Sequence, residues 1–140
     1  MPQKNIKVIV DTNILISAIL KDRLPEKMIL RIIEDGSFDW IASEEIVQEY
    51  KTVISRPKFL IPGDEIKFQF DLIDRMTTIV CPDLKIIFKR DQKDAKFLSC
   101  ALVSNADFLI TGDSDLVEIV NYNNTKIISV PEFAALFNIA

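Results

Sequence analysis

Histidine is missing from all 140 residues. That absence excludes Ser-His-Asp hydrolysis, His-paired cysteine nucleophiles, histidine general-base ribonuclease chemistry and ordinary zinc sites. Two cysteines, Cys81 and Cys100, are too few for a disulfide framework or a thiolate metal site, and they suit a reducing compartment. With three glycines and six prolines there is no linker-like or low-complexity stretch, so residues 1–140 read as one continuous domain. No apolar run approaches the roughly 18 residues of a membrane span. Asp11 also breaks the early apolar stretch Val8 to Leu20 too soon for a signal peptide. These absences predict a soluble cytoplasmic protein with no membrane segment. Surplus basic charge is lacking as well: 17 Lys and Arg face 21 Asp and Glu, a net charge of −4 and a poor balance for neutralising phosphates. What is there, 49% apolar and 27% charged residues, is the composition of a folded globular chain. Its chemistry must rest on carboxylates, hydroxyls, amines or a bound ion.

The chain alternates between two hydrophobic periodicities. Ile6 to Val10 is a β-branched apolar run, the pattern of a strand buried on both faces. Asn13 to Leu20 reads as a helix, and a second helix has Pro25 in its first turn and Gly36 just past its end. Phe38 to Ala42 is a strand. Ser43 then serves as N-cap of a helix reaching about Arg56, with Glu44 and Glu45 in its first turn. From Asp64 to about Thr78 two readings compete: Phe68, Phe70 and Leu72 alternate as in a strand, but the length favours a helix. Ile79 to Cys81, Phe108 to Thr111 and Lys126 to Val130 are further strands. Asp91 to Ser104, Asp115 to Val120 and a segment from Pro131 are further helices. Strands alternating with helices imply βαβ units, right-handed crossovers and a mostly parallel sheet covered on both faces.

In such a sheet the site lies beyond the carboxyl ends of the strands. Asp11 directly follows Val8-Ile9-Val10, and Asp113 follows Phe108-Leu109-Ile110-Thr111-Gly112. A lone aspartate there ordinarily caps the next helix; two at one sheet edge point beyond capping. Asp94 is the most informative acid. At about 100° per residue it falls near the centre of the stripe Phe97, Leu98, Ala101 and Leu102, where a lone carboxylate costs several kcal/mol without a partner. The competing explanation is a helix-start aspartate held by free backbone N–H groups, with Asp91 as the cap. Glu49 borders the buried face of Ile46, Val47, Tyr50, Val53 and Ile54, and its helix alone reads it as a boundary residue whose head reaches water. Asp115 either caps the short helix at Leu116 or joins the acidic cluster.

Clustered carboxylates raise one another's pKa unless a cation intervenes. With hard oxygen donors, no histidine and no clustered thiolates, that cation is Mg²⁺ or Mn²⁺. Such ions bind phosphates and stabilise both oxygens of a phosphodiester displacement. Setting aside the five acids Asp11, Glu49, Asp94, Asp113 and Asp115 takes the formal charge from −4 to +1. Basic residues then stand in groups: Lys85, Lys89, Arg90, Lys93 and Lys96; Lys51, Arg56 and Lys58; Lys21, Arg23, Lys27 and Arg31. Each group alone reads as a solvated face. Lys89, Arg90, Lys93 and Lys96, which flank Asp94, are the best candidates for an RNA phosphate track.

Four ordered blocks carry a further signal: "VIVDTNILISAIL", "SEEIVQEYKTVISRPKF", "RDQKDAKFLSCALVSNADFLITGDSDL" and the closing "IISVPEFAALF". Together they resemble the PIN-domain (PilT N-terminus) nucleases over almost the whole chain, above all the prokaryotic toxin components of toxin–antitoxin systems. The resemblance places the family's acids on Asp11, on Glu49 rather than Glu44 or Glu45, on Asp94 and on Asp113. Thr12 and Asn13 stand beside the first acid, and Thr111, Ser114 and Asp115 support metal or substrate. It implies an αβα sandwich, dependence on Mg²⁺ or Mn²⁺, endoribonuclease action on single-stranded or structured RNA, and a homodimer. For toxin members it also implies inhibition by a cognate antitoxin that covers the acidic site. The expected mechanism is hydrolysis by metal-activated water. Asp11, Asp94 and Asp113 hold one or two ions, Glu49 acts as ligand or orients the water, and the products carry 5′-phosphate and 3′-hydroxyl ends.

Two other readings compete. A haloacid-dehalogenase-like phosphatase also places an aspartate after its first strand, but it needs Asp-x-Asp, and Asn13 stands where its general acid belongs. A non-catalytic Mg²⁺-binding signalling or peptide-binding module is the third. A receiver needs an aspartate after a central strand, whereas Trp40-Ile41-Ala42 leads to Ser43.

Overall fold

The last three residues of β1 (Ile6–Val10), Val8, Ile9 and Val10, are fully buried, which only a central strand covered on both faces allows. In this computed structural model, which describes residues 4–82 and 94–140, β2 (Phe38–Ala42) pairs in parallel with one side of β1, Ile6 opposite Phe38. On the other side β4 (Phe108–Ile110) pairs in parallel, Val10 opposite Ile110. Next to β2 lies β3 (Thr77–Ile79), and next to β4 lies β6 (Thr125–Ile128), both parallel; β5 (Asn121–Tyr122) closes the edge antiparallel to β6. The order is therefore β3-β2-β1-β4-β6-β5. The chain builds outward from β1 through β2 to β3, then returns to the other side of β1. That reversal sets the topological switch point between β1 and β4, where an open parallel sheet forms its crevice.

Helices on both faces complete three layers, as predicted. They are α1 (Thr12–Ile19), α2 (Arg23–Glu34), α3 (Glu44–Ile54), α4 (Gly63–Met76), α5 (Ala95–Ser104), the short α6 (Ser114–Val117) and α7 (Val130–Leu136). Local chemistry starts several of them. The Ser43 hydroxyl accepts from the Ile46 N–H at 3.2 Å, and Ser129 with Glu132 forms a reciprocal capping box ahead of α7. Phe38 and Phe108, the first residues of β2 and β4, meet Phe133 of α7 and its C-cap Phe137 with ring centroids 5.1–5.8 Å apart. This aromatic cluster pins the amino end of the sheet, opposite the edge that carries the acids. Among the described residues no helix is long and apolar enough to cross a membrane.

Several elements differ from expectation. The Phe68-Phe70-Leu72 alternation does not make a strand; α4 runs to Met76 and passes without a loop into β3, two residues earlier than predicted. The β-branched Thr77 drives that switch, and its hydroxyl donates to the Ile73 carbonyl at 2.7 Å, satisfying the last helical turn. The α5 α-helix runs over Ala95–Ser104, with Asp94 ahead of it already in helical conformation (φ −85°, ψ −12°); Asp91, where the helix is expected to open, lies outside the described residues. The two-residue strand β5 carries no periodic signal, because pairing with β6 through a turn at Asn123 (φ 52°) is what makes it a strand.

Candidate active site

The ends of β1 and β4 stay joined until both strands stop, the Asp11 N–H donating to the Ile110 carbonyl at 2.9 Å. Asp11 is the N-cap of α1 and Asp113 the N-cap of α6, but they use their carboxylates differently. Asp113 caps its helix, accepting from the Asp115 N–H at 2.8 Å. The Asp11 carboxylate turns instead across the switch point, its Oδ2 accepting from the fully buried Thr111 hydroxyl at 2.6 Å. Thr111 Oγ1 in turn accepts from the Asp113 N–H at 3.0 Å, so one hydroxyl ties the two acids across the switch point. Burial pushes the Asp11 carboxyl above its ordinary value. The Thr111 hydroxyl and the Asn13 backbone N–H oppose that rise, and the charges of Glu49 and Asp113 add to it.

Glu49 is clamped from both sides. The Thr12 hydroxyl donates to its Oε2, and Lys96 Nζ lies 2.9 Å from its Oε1. Its neighbour Tyr50 is fully buried and donates to the carbonyl of Val10, the last residue of β1. That bond fixes α3 against the carboxyl end of β1 and so sets Glu49 near Asp11. Burial pushes the Tyr50 phenol well above its usual range, which keeps the donor proton in place. Tyr50→Phe should therefore cost about 1–2 kcal/mol, read as a fall in the urea midpoint at constant slope. A shift too small to measure would show that the bond does not hold α3.

Asp94 is 5% exposed, makes no capping hydrogen bond with its side chain, and has Oδ2 sealed from solvent. With Asp11, Glu49 and Asp113 it lines one cavity of about 510 Å³ at the carboxyl edge of the sheet. Four acids from four separate parts of the chain thus line one cavity. Glu44 and Glu45 are exposed on the first turn of α3, away from the cavity lining. Thr12 and Asn13 also line the cavity, whereas Thr111, Ser114 and Asp115 do not among the described residues. Thr111 acts through Asp11, and the backbone of Asp115 through Asp113.

Lys96 does not stand in a surface track as expected. Its side chain is 11% exposed and turned onto Glu49, because a carboxylate held at the rim of an acidic cavity draws the nearest flexible cation inward. Lys89, Arg90 and Lys93 lie outside the described residues. Cys100 is buried with its thiol pushed up to about 12, which leaves it inert at neutral pH.

The donor set fits a hard divalent ion: every candidate ligand is a carboxylate oxygen. Among the described residues no three of these acids close into a ready-made cage. Mg²⁺ does not need one, since it retains several waters and is held by one or two carboxylates together with substrate phosphate.

Three residues that the sequence does not assign to the site also line this cavity: Arg56 and Lys58, read there as part of a solvated basic face, and Phe59. A signal was present. Glu49, Val53 and Arg56 are spaced i, i+4 and i+7, so one face of α3 and its continuation looks into the cavity.

A parallel α/β domain whose switch point carries a carboxylate-lined cavity defines a class in which acids, and any ion they hold, do the chemistry. A PIN domain model matches residues 7–115, from β1 into α6 and across all four acids, and the chain belongs to the PIN domain family. PIN domains are typically metal-dependent nucleases. An uncharacterized protein of Methanocaldococcus jannaschii is 30% identical to it over 127 residues, covering 88% of this chain and 81% of the relative.

Proposed function

We propose that this PIN domain is a Mg²⁺- or Mn²⁺-dependent endoribonuclease that hydrolyses RNA phosphodiester bonds. One observation carries the reading: Asp11, Glu49, Asp94 and Asp113 line a single cavity beyond the carboxyl ends of the strands. Asp11, Asp94 and Asp113 would hold the ion, which when bound supplies positive charge to the phosphate and acidifies water. Thr111 orients Asp11 toward that task. Glu49, fixed by Thr12 and Lys96, positions the attacking water and accepts its proton. Attack in line on phosphorus then leaves a 5′-phosphate and a 3′-hydroxyl.

The resemblance noted in the sequence supports extending this reading to a toxin of a toxin–antitoxin pair, a homodimer inhibited by a cognate antitoxin seated over the acidic cavity. The phosphatase alternative is not favoured, because Asn13 lines the cavity and an amide cannot serve as its general acid. The test is cleavage of an end-labelled mixed RNA with Mg²⁺ or Mn²⁺, beside EDTA and an Asp94→Asn control. Cleavage is expected with either ion and lost in both controls. A 2′,3′-cyclic phosphate product would show that the 2′-hydroxyl is the nucleophile and overturn the mechanism.

A further inference from the structure

We propose that the segment Arg56 to Phe59 is a nucleotide subsite for unpaired RNA, in which Arg56 and Lys58 take backbone phosphates and Phe59 stacks on a base. The proposal rests on the nuclease reading above and adds the residues that would grip the strand. All three side chains line the cavity that holds the four acids. An acidic cavity in a chain of net charge −4 repels a polyanion, so the strand needs fixed cations on the wall where it runs past the acids. Lys51 pairs with Asp74 and Lys96 with Glu49, while among the described residues neither Arg56 nor Lys58 forms an ion pair. Both are exposed, and so are available to phosphate.

The backbone holds this wall in place. Pro57 opens a 3-10 turn, Pro57–Phe59, in which the Phe59 N–H donates to the Arg56 carbonyl at 3.2 Å. The Arg56 N–H returns to the Val53 carbonyl at 3.1 Å, fastening the turn to the end of α3. Phe59 is partly buried against the core, with Lys58 Nζ over its ring 5.1 Å from the centroid, so a base stacks there as the exposed Lys58 side chain swings off the ring onto a phosphate. An anchored ring beside two cations is the arrangement that binds single strands, because every unpaired base offers a face to stack on. Bases inside a duplex are already stacked, so Phe59 discriminates between the two. Arg56 adds a planar fork suited to phosphate oxygens.

The test is fluorescence anisotropy of a labelled, unstructured RNA of about 12 nucleotides, a length within the span that such single-strand grooves cover. The full chain is titrated in EDTA across a salt series, and the same RNA is assayed for cleavage with Mn²⁺. The double variant Arg56→Ala/Lys58→Ala should bind at least tenfold more weakly. Its slope of log affinity against log salt should fall by about 1.4, or about 0.7 per lost phosphate contact. Phe59→Leu, which keeps the apolar packing, should weaken unpaired RNA by about five- to tenfold and leave a blunt RNA duplex unaffected. Wild-type affinity and slope in the double variant, or no RNA binding by the wild type, would overturn the subsite whatever the cleavage assay reads. Equal loss of duplex and unpaired RNA in Phe59→Leu would overturn the stacking role. Binding that needs Arg56 and Lys58 in a protein that cleaves nothing would keep the subsite and sink the nuclease reading instead.

Discussion

Asp11→Asn should lower RNA cleavage by roughly 10²–10³-fold, the scale seen when a group stabilising transition-state charge is removed, while raising the unfolding midpoint at pH 7 in EDTA. The two effects share one cause. Burial raises the Asp11 carboxyl above its ordinary 3.8, with the charges of Glu49 and Asp113 adding to the rise. A carboxyl with a raised folded-state pKa favours folding below the unfolded value, and that contribution is lost as pH climbs through the folded value. At pH 7 the ionised group therefore opposes folding, and asparagine relieves this while keeping an acceptor for the Thr111 hydroxyl. The stability gap between variant and wild type should close on acidification toward pH 3.8. Added Mn²⁺ should reverse the order, because ion binding stabilises only the protein with an intact site. A variant less stable than wild type in EDTA at pH 7 would mean that the bond to Thr111 outweighs the cost of the buried charge.

Phe133→Ala acts at the opposite end of the sheet and should cost about 3–5 kcal/mol, the range for truncating a buried aromatic. Phe133 is fully buried against Phe38 and Phe108, which start β2 and β4. It also packs on Phe137, ring centroids 4.6 Å apart. Set against a total stability of about 5–15 kcal/mol, this loss takes much of the margin. Chemical denaturation should report the drop, and cleavage per folded molecule should stay near wild type, since none of the four cavity acids lies at that end. A cost under about 1 kcal/mol would show that α7 repacks freely. Residues beyond the matched span 7–115 thus belong to the same core as the acids.

The acids themselves were legible in the chain because their signals are local. Asp11 and Asp113 each follow a buried apolar strand, and Asp94 opens a helix whose apolar stripe points inward. Strand and helix identities followed from period and capping, as at Ser43. The missing histidines, together with these positions, already narrowed the chemistry to carboxylates and a hard ion. Only the tertiary structure decided what these acids face. Strand order is a long-range choice, and it alone puts the switch point between β1 and β4, where Asp11 and Asp113 share Thr111. Glu49 looked like a boundary residue because its wheel could not contain Thr12 and Lys96, which are distant in sequence. For the same reason Lys96 read as part of a surface track, and Arg56 and Lys58, grouped with Lys51, as a solvated face. Helical periodicity assigns a face to a side chain, but a partner across the fold assigns its role, and that partner is chosen only when the strands find their order.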